Sequence, residues 1–258
     1  ENMIVASADL SNSDKTDGFL KNTKAFCKGD FSGAFLQAGV SELTMAAIAN
    51  GMALHGGVIP VCGTFFVFSD YMKPAVRMAA LMELPVKYVW THDSFRVGED
   101  GPTHQPVEQE AQIRLMEHLK NHSGKRSMLV LRPADADETT VAWKMAIENR
   151  CTPTALLFSR QGIKSIPPIA KNSRYDDACN SVKGAYIVKN ASGTPDIVFV
   201  ASGSEVATLL GGAALLEERE GLKVQVVSCI SEGLFRDQNV DYQKQVLPPD
   251  IPIFGLTA

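Results

Sequence analysis

Apolar runs alternate with segments of helical periodicity along most of the chain, the pattern of α/β units built on a mainly parallel sheet. The runs Met3-Ile-Val-Ala6, Val58-Ile-Pro-Val-Cys62, Val86-Lys-Tyr-Val-Trp-Thr91, Met128-Leu-Val-Leu131 and residues 154–158 predict strands. Pro60 weakens the second of them, because it removes one ladder donor. Between the strands the spacing predicts a helix over residues 41–55, with Ser41 as candidate cap and Gly56-Gly57 as stop. It predicts a second over 65–84, broken or restarted near Pro74, and a third over 106–119 with proline in its first turn. A fourth starts at Asp135, with Glu138 in an acidic first turn, and runs to about Asn149. Residues 11–33 are polar and predict a loop with room for one short helix.

The composition shifts near Gln161. Prolines, Ser, Asn and Asp without periodicity predict a linker over 163–185. A second α/β pattern follows, with strands at Ile197-Val-Phe-Val-Ala201 and Val224-Gln-Val-Val-Ser228 and a helix between them that opens at Gly203-Ser-Glu205. Residue 1 is Glu, and the chain stops just after Ile253-Phe-Gly-Leu256, which reads as a strand just beginning. The expectation is a piece of a longer polypeptide: a first domain over 1–162, the linker, and a partial second domain over 186–258.

Bulk properties narrow the class. The chain has 258 residues and a formal net charge of −4. Mixed charge gives no footing for nucleic acid or an anionic membrane as partner. No apolar run approaches the roughly 20 residues of a membrane span, and no secretory signal opens the chain. The five cysteines are scattered, odd in number and free of CxxC spacing, which predicts reduced thiols in a cytoplasmic setting.

Three features carry chemistry. The segment Val97-Gly-Glu-Asp-Gly-Pro-Thr-His-Gln-Pro106 follows a predicted strand, where ligands bind in open α/β sheets. Its glycines and prolines could hold Asp100 and His104 in fixed positions, with His92 and Asp93 beside them, or could simply satisfy a polar loop. Glu42 opens an otherwise apolar helix. It either complements the helix N-terminus or sits in an apolar pocket where it can share a proton with a nitrogen base. Phe65, Phe68 and Tyr71, spaced by three, predict either core packing or an aromatic wall for a flat heterocycle. His92, Asp100 and His104 lack the short ligand spacings of zinc sites, and His118 and His122 lack a third ligand. No GxGxxG, P-loop or GxSxG occurs.

These residues fall in a familiar order. Ser7-Ala-Asp-Leu10, Gly39-Val-Ser-Glu42, Cys62-Gly-Thr-Phe-Phe-Val-Phe68, Thr91-His-Asp-Ser94, Gly98-Glu-Asp-Gly-Pro-Thr-His-Gln-Pro106, Leu131-Arg-Pro-Ala-Asp135, Ser159-Arg-Gln161 and Ala201-Ser-Gly-Ser-Glu-Val206 together resemble the transketolase family over essentially the whole chain. The resemblance implies a pyrimidine-binding domain, the start of a C-terminal domain, and transfer of a two-carbon ketol unit between sugar phosphates of the pentose phosphate pathway. It implies thiamine diphosphate as cofactor and a divalent metal (Mg or Ca) held by an N-terminal domain. The Gly-Asp-Gly…Asn motif of that domain is not in this sequence, so no metal ligand is expected in this segment, and the segment alone should be inactive. By resemblance Glu42 meets N1′ of the aminopyrimidine, and Phe65, Phe68 and Tyr71 surround that ring. Asp9 lies near the cofactor and a dimer contact. His92, Asp100 and His104 contact the donor hydroxyls, with His92 and His104 moving protons, and Ser13 and Arg160 hold the sugar phosphate. A homodimer with its active site between subunits is implied. Where many members carry Arg-Glu-His, this chain carries Ser41-Glu42-Leu43. The related alternatives are a deoxyxylulose-phosphate synthase, the β chain of a ketoacid dehydrogenase, or a dimerising fragment without turnover.

Overall fold

The computed structural model describes residues 2–171 and 173–257. They form two compact units. The first takes the chain up to Val130 and again over Ala146–Gln161; the second takes Leu131–Met145 and the chain from Gly162 onward.

In the first unit the order is β1 (Met3–Ser7), α1 (Ser11–Asp14), α2 (Asp17–Leu20), β2 (Phe35–Gln37), α3 (Glu42–His55), β3 (Ile59–Phe65), a 3-10 turn (Phe66–Phe68), α4 (Ser69–Leu81), β4 (Lys87–Thr91), α5 (Gln109–His118) and β5 (Leu129–Leu131); the chain then passes into α6 (Ala136–Glu148), most of which belongs to the second unit, and returns to the first with β6 (Thr154–Leu157). The strands lie in the order β2-β1-β3-β4-β6-β5. The pairings of β1 with β2 and β3, of β3 with β4 and of β4 with β6 are all parallel, with Val5 opposite Phe35 and Val61, and Val89 opposite Gly63 and Leu156. This is the mainly parallel sheet that the sequence predicts. Parallel strands are covered on both faces, which is why β4 is buried along its whole length.

Small residues let α3 and α4 approach the sheet. Met45, Ala46 and Ala49 of α3 and Met72, Ala75, Val76 and Ala79 of α4 join Cys62, Tyr88 and Trp90 in one core. Polar links fix the helices to one another. Asn50 Nδ2 donates to the Ala75 carbonyl at 2.9 Å, and Gln109 Nε2 donates to Asp70 Oδ2 at 2.8 Å.

Several expectations are refined. Ser41 does stand at the N-cap of α3, but its hydroxyl donates to the Ala38 carbonyl at 2.7 Å and makes no cap bond. The helix stops at Gly56, whose φ of 80° ordinary residues avoid. Pro60 does not weaken β3, because pairing with β4 begins one residue later, at Val61. The helix expected from residue 65 begins at Ser69, after a strand end and a 3-10 turn, and runs unbroken through Pro74. The helix expected from residue 106 begins at Gln109, whose side chain accepts from the Val107 amide at 2.8 Å. The polar stretch holds two short helices, α1 and α2, where room for one was expected, and β2 is an addition just after it.

In the second unit the order is α7 (Arg174–Ala178), β7 (Tyr186–Lys189), β8 (Ile197–Ala201), α8 (Glu205–Glu220), β9 (Val224–Ser228), α9 (Glu232–Arg236), α10 (Val240–Val246) and β10 (Ile253–Leu256). The sheet order is β10-β8-β9-β7, with β7 antiparallel to β9 and the other pairs parallel. Helix α8 packs Val206, Leu209 and Ala213 on one face, against Phe199, Val224 and Val226.

The stretch expected to be a linker is tied down by Arg174. Its guanidinium donates to Asp135 Oδ2 at 2.7 Å, to Glu138 Oε1 at 3.0 Å and to the Tyr186 hydroxyl at 2.7 Å, all buried. A planar fork shared among three acceptors satisfies the buried cation. Among the described residues no helix is long and apolar enough to cross a membrane.

Candidate active site at the carboxyl edge of the first sheet

A parallel sheet sends the carboxyl ends of its strands to one edge. Each candidate residue follows such an end. Asp9 and Ser13 follow β1, Glu42 follows β2, Phe65, Phe68 and Tyr71 close β3 and lead into α4, His92 to His104 follow β4, and Arg160 follows β6. Residues scattered over 150 positions of sequence are therefore gathered by topology, with neighbouring strands about 4.8 Å apart.

The aromatic row is real, but a single helix face does not make it. Phe65 ends a strand, Phe68 lies in the 3-10 turn and Tyr71 in α4. The tight turn still brings their rings into register: Phe65 stacks on Phe68 at 5.8 Å between centroids, and Phe68 on Tyr71 at 5.9 Å. Phe65 and Phe66 are buried, whereas Tyr71 is 63% exposed, so the row runs from the core to the surface. It is a wall with an open end rather than simple core packing.

His92 lies across the buried end of this row. Its ring stacks on Phe65 at 3.6 Å, and Thr91 Oγ1 hydrogen-bonds its Nδ1 at 3.0 Å. Its backbone sits at φ 59°, an uncommon conformation for a residue with a side chain, and one that collects at functional sites. Burial holds the imidazole down to about 4; Arg160 and His104 push the same way, while Asp100 and Asp14 oppose them. At neutral pH His92 is therefore an uncharged imidazole with Nε2 left to give or take a hydrogen bond. His104 meets the row edge-on, 5.2 Å from Phe68 and 6.1 Å from Phe65, and Thr103 Oγ1 hydrogen-bonds its Nδ1 at 2.8 Å.

The loop that carries Asp100 and His104 is pinned at both ends by buried Val97 and Pro106. Gly98 and Gly101 take φ values of 88° and 74°. Gly98 also lies against the exposed Arg160: a Cβ there would come within 3.1 Å of its guanidinium. The structure thus brings His92, His104, Asp100, Arg160 and the three aromatic residues into one cluster. Glu42 stands at the same edge, 7% exposed, as the first residue of α3. Its carboxyl makes no hydrogen bond or ion pair with any described residue. Ser13 and Asp9 are exposed on the segment that follows β1.

Sequence reasoning passed over Asp14, buried beneath this edge, and Thr91, which orients His92. The spacing Asp14-x-Thr16 is an Asx-turn signal that could have marked the first of these.

An aromatic wall, a buried carboxyl and two imidazoles thus share the carboxyl edge of an open α/β sheet, where such sheets bind their ligands. Residues 1–165 match the family described as "Transketolase, pyrimidine binding domain", and residues 184–258 match "Transketolase-like TK C-terminal domain". The chain belongs to the transketolase family. The transketolase of Bacillus subtilis (strain 168) is 48% identical over 250 residues, which are 96% of this chain and 35% of that protein. The chain therefore spans about a third of the length of the curated relatives it matches. Transketolase from Pichia stipitis, in complex with sedoheptulose-7-phosphate, superimposes with a TM-score of 0.86 at 37% identity, covering all of this chain and 36% of that one. A split-gene transketolase described as an inactive β4 tetramer matches with a TM-score of 0.65 at 28% identity, over 89% of this chain and 65% of that one.

Proposed function

We propose that this chain is the pyrimidine-binding portion and the beginning of the C-terminal domain of a transketolase, with the division at 1–162 and 186–258, and that it works on sugar phosphates with thiamine diphosphate. The observation that carries the proposal is the stacked row Phe65–Phe68–Tyr71 ending on His92, with an unpartnered carboxyl, Glu42, at the same sheet edge. These residues fit an aminopyrimidine: the rings offer a wall to its face, and the carboxyl can hold a proton at N1′.

When bound, the cofactor supplies the electron sink for breaking and making a carbon–carbon bond. The chain's own residues orient and polarise. Neutral His92, with Nδ1 engaged by Thr91, offers Nε2 to a donor hydroxyl. His104 and Asp100 face the same hydroxyls, and His104 can pass a proton to a developing alkoxide. Arg160 and Ser13 take the phosphate, the arginine through paired charged hydrogen bonds. Asp9 lies near the cofactor and the subunit contact. The diphosphate and its divalent metal belong to a domain marked by a Gly-Asp-Gly…Asn motif, which does not occur among these 258 residues.

The partner subunit completes the site. Val40, Leu43, Ile48 and Leu54, in and just before α3, are 82%, 47%, 43% and 61% exposed, an apolar face suited to a homodimer contact. The free cysteines suit a reducing, cytoplasmic compartment. The inactive split-gene relative supports the view that this portion does not turn over by itself. Reconstitution tests the proposal. This chain, mixed with the diphosphate-binding portion, magnesium and thiamine diphosphate, is expected to move a ketol unit from a ketose phosphate to an aldose phosphate, and the chain alone to move none. Turnover by the chain alone, or a mixture that forms a complex but stays inert, would refute it.

A further inference from the structure

Asp14 is a carboxylate with 1% exposure and no cationic partner among the described residues. It is held by hydroxyl and amide donors alone. Ser7 Oγ donates to Oδ2 at 2.6 Å, and Thr16 donates to Oδ1 through its amide at 2.9 Å and its hydroxyl at 2.6 Å. Ser7 is the last residue of β1, and its hydroxyl also accepts from the Leu10 amide at 3.2 Å. The carboxylate thus clamps the end of β1 to the turn between α1 and α2. The clamp sits directly on β3, because a Cβ at Gly63 would come within 2.5 Å of Thr16 Cγ2 and 3.1 Å of Asp14 Oδ2. Exposed Ser13 lies inside the clamp: its amide and that of Asp14 both donate to the Leu10 carbonyl at 2.8 Å.

A turn of this kind needs only an Asx side chain, and asparagine would serve without the cost of a buried charge. The carboxylate lies over Gly63, two residues before Phe65, on whose ring His92 stacks. Asp14 is one of four ionisable groups acting on His92, with Asp100 on its own side and Arg160 and His104 against it.

We propose that Asp14 is a positioning residue of the site, clamping the β1–α1 segment so that Ser13 is held at the carboxyl edge of the sheet and setting a negative charge on β3 two residues before the ring that His92 covers. The inference rests on the reading of Ser13 and His92 as substrate-contacting residues.

Two variants separate the two roles. Asp14→Asn keeps the shape and the bonds from Thr16 but removes the charge. In this 258-residue chain the NMR titration midpoint of His92 is expected to fall by about 0.5 unit, the size expected of one charge lost across a few ångströms of polar surroundings. Asp14→Ala removes the clamp. In the assembled enzyme it is expected to raise KM for a ketose phosphate about tenfold, the size of one charged hydrogen bond lost at the phosphate, with the loss on KM rather than kcat and no matching rise for a non-phosphorylated ketol donor. A merely structural role would weaken both donors alike and leave the His92 midpoint of Asp14→Asn in place, and either result overturns the inference. The midpoint is read without cofactor or turnover. If it falls while even the parent enzyme transfers no ketol unit, the functional reading has failed and the electrostatic role of Asp14 stands. If Asp14→Ala does not fold, Asp14→Asn decides alone, and an unmoved midpoint rejects the proposal.

Discussion

Replacing Glu42 by glutamine in the assembled enzyme is expected to lower kcat for ketol transfer by about 10³-fold, within the range lost when a positioned proton donor is removed. On the free-energy scale this is about 4 kcal/mol. Glu42 is the first residue of a fourteen-residue helix, is almost fully covered, and bonds to nothing described. No fold element depends on its carboxyl, so the substitution should leave the unfolding free energy within about 0.5 kcal/mol of the parent, as for changes that remove no structural interaction. Glutamine has nearly the same volume and can still donate or accept one hydrogen bond. What it cannot do is give up and regain a proton at N1′. The prediction is therefore a split: intact folding, cofactor binding weakened only modestly, and chemistry nearly abolished. Steady-state ketol transfer, with cofactor titration by fluorescence quenching, reads the two halves separately. Activity within tenfold of the parent would mean that Glu42 merely complements the positive end of α3.

The edge on which Glu42 stands was legible for a physical reason. Buried parallel strands are continuous apolar runs, so β1, β4, β8 and β9 appear in the sequence within a residue or two of their observed bounds. In the first sheet β1 and β4 are each followed by a polar cluster, and parallel pairing carries both clusters to one edge. Other parts of the fold carry no local signal. β2 has three residues, too few for periodicity to register. The 65-68-71 spacing resembles a helix face, yet the chain passes from strand to 3-10 turn to helix there. The rings stack because their positions converge in space, not because one element presents them. The Arg174 network is invisible to any local pattern, since its carboxylate partners lie 36 and 39 residues away in the chain. Nor does sequence alone reveal that His92 stacks on Phe65, although both residues sit in motifs that mark the family. Assignment of the heterocycle came from family resemblance; the residues alone left Glu42 and the aromatic row with two meanings each.

One residue resists the logic of its strand. Lys87 lies in the buried run of β4 with no exposed surface, and its ammonium donates to the Asn149 carbonyl at 2.6 Å. Burial, with a smaller push from Arg150, pulls its pKa down to about 7. A folded value below the unfolded one means that the unfolded chain binds the proton more tightly. Folding stability is then highest above pH 10.5, falls as pH drops from about 10.5 to 7, and levels off below that. At 1.36 kcal/mol per pH unit the buried charge costs at most about 5 kcal/mol at neutral pH. Lys87→Met keeps a long unbranched chain and removes the charge. It also leaves the Asn149 carbonyl without its donor, a loss of about 1–3 kcal/mol. The net expectation is a gain of about 2 kcal/mol at pH 7, or a rise in Tm of some 4–8 °C for a chain of this size. The sign across pH is the sharper test. The advantage should shrink steadily as pH is raised from 7 towards 10.5, above which the parent lysine is neutral in both states. Denaturant unfolding of parent and variant at pH 7, 9 and 10.5 measures this directly. A variant less stable than the parent at pH 7, or an advantage that does not change with pH, would show that the ammonium is satisfied where it lies and that the cost of its burial has been overestimated.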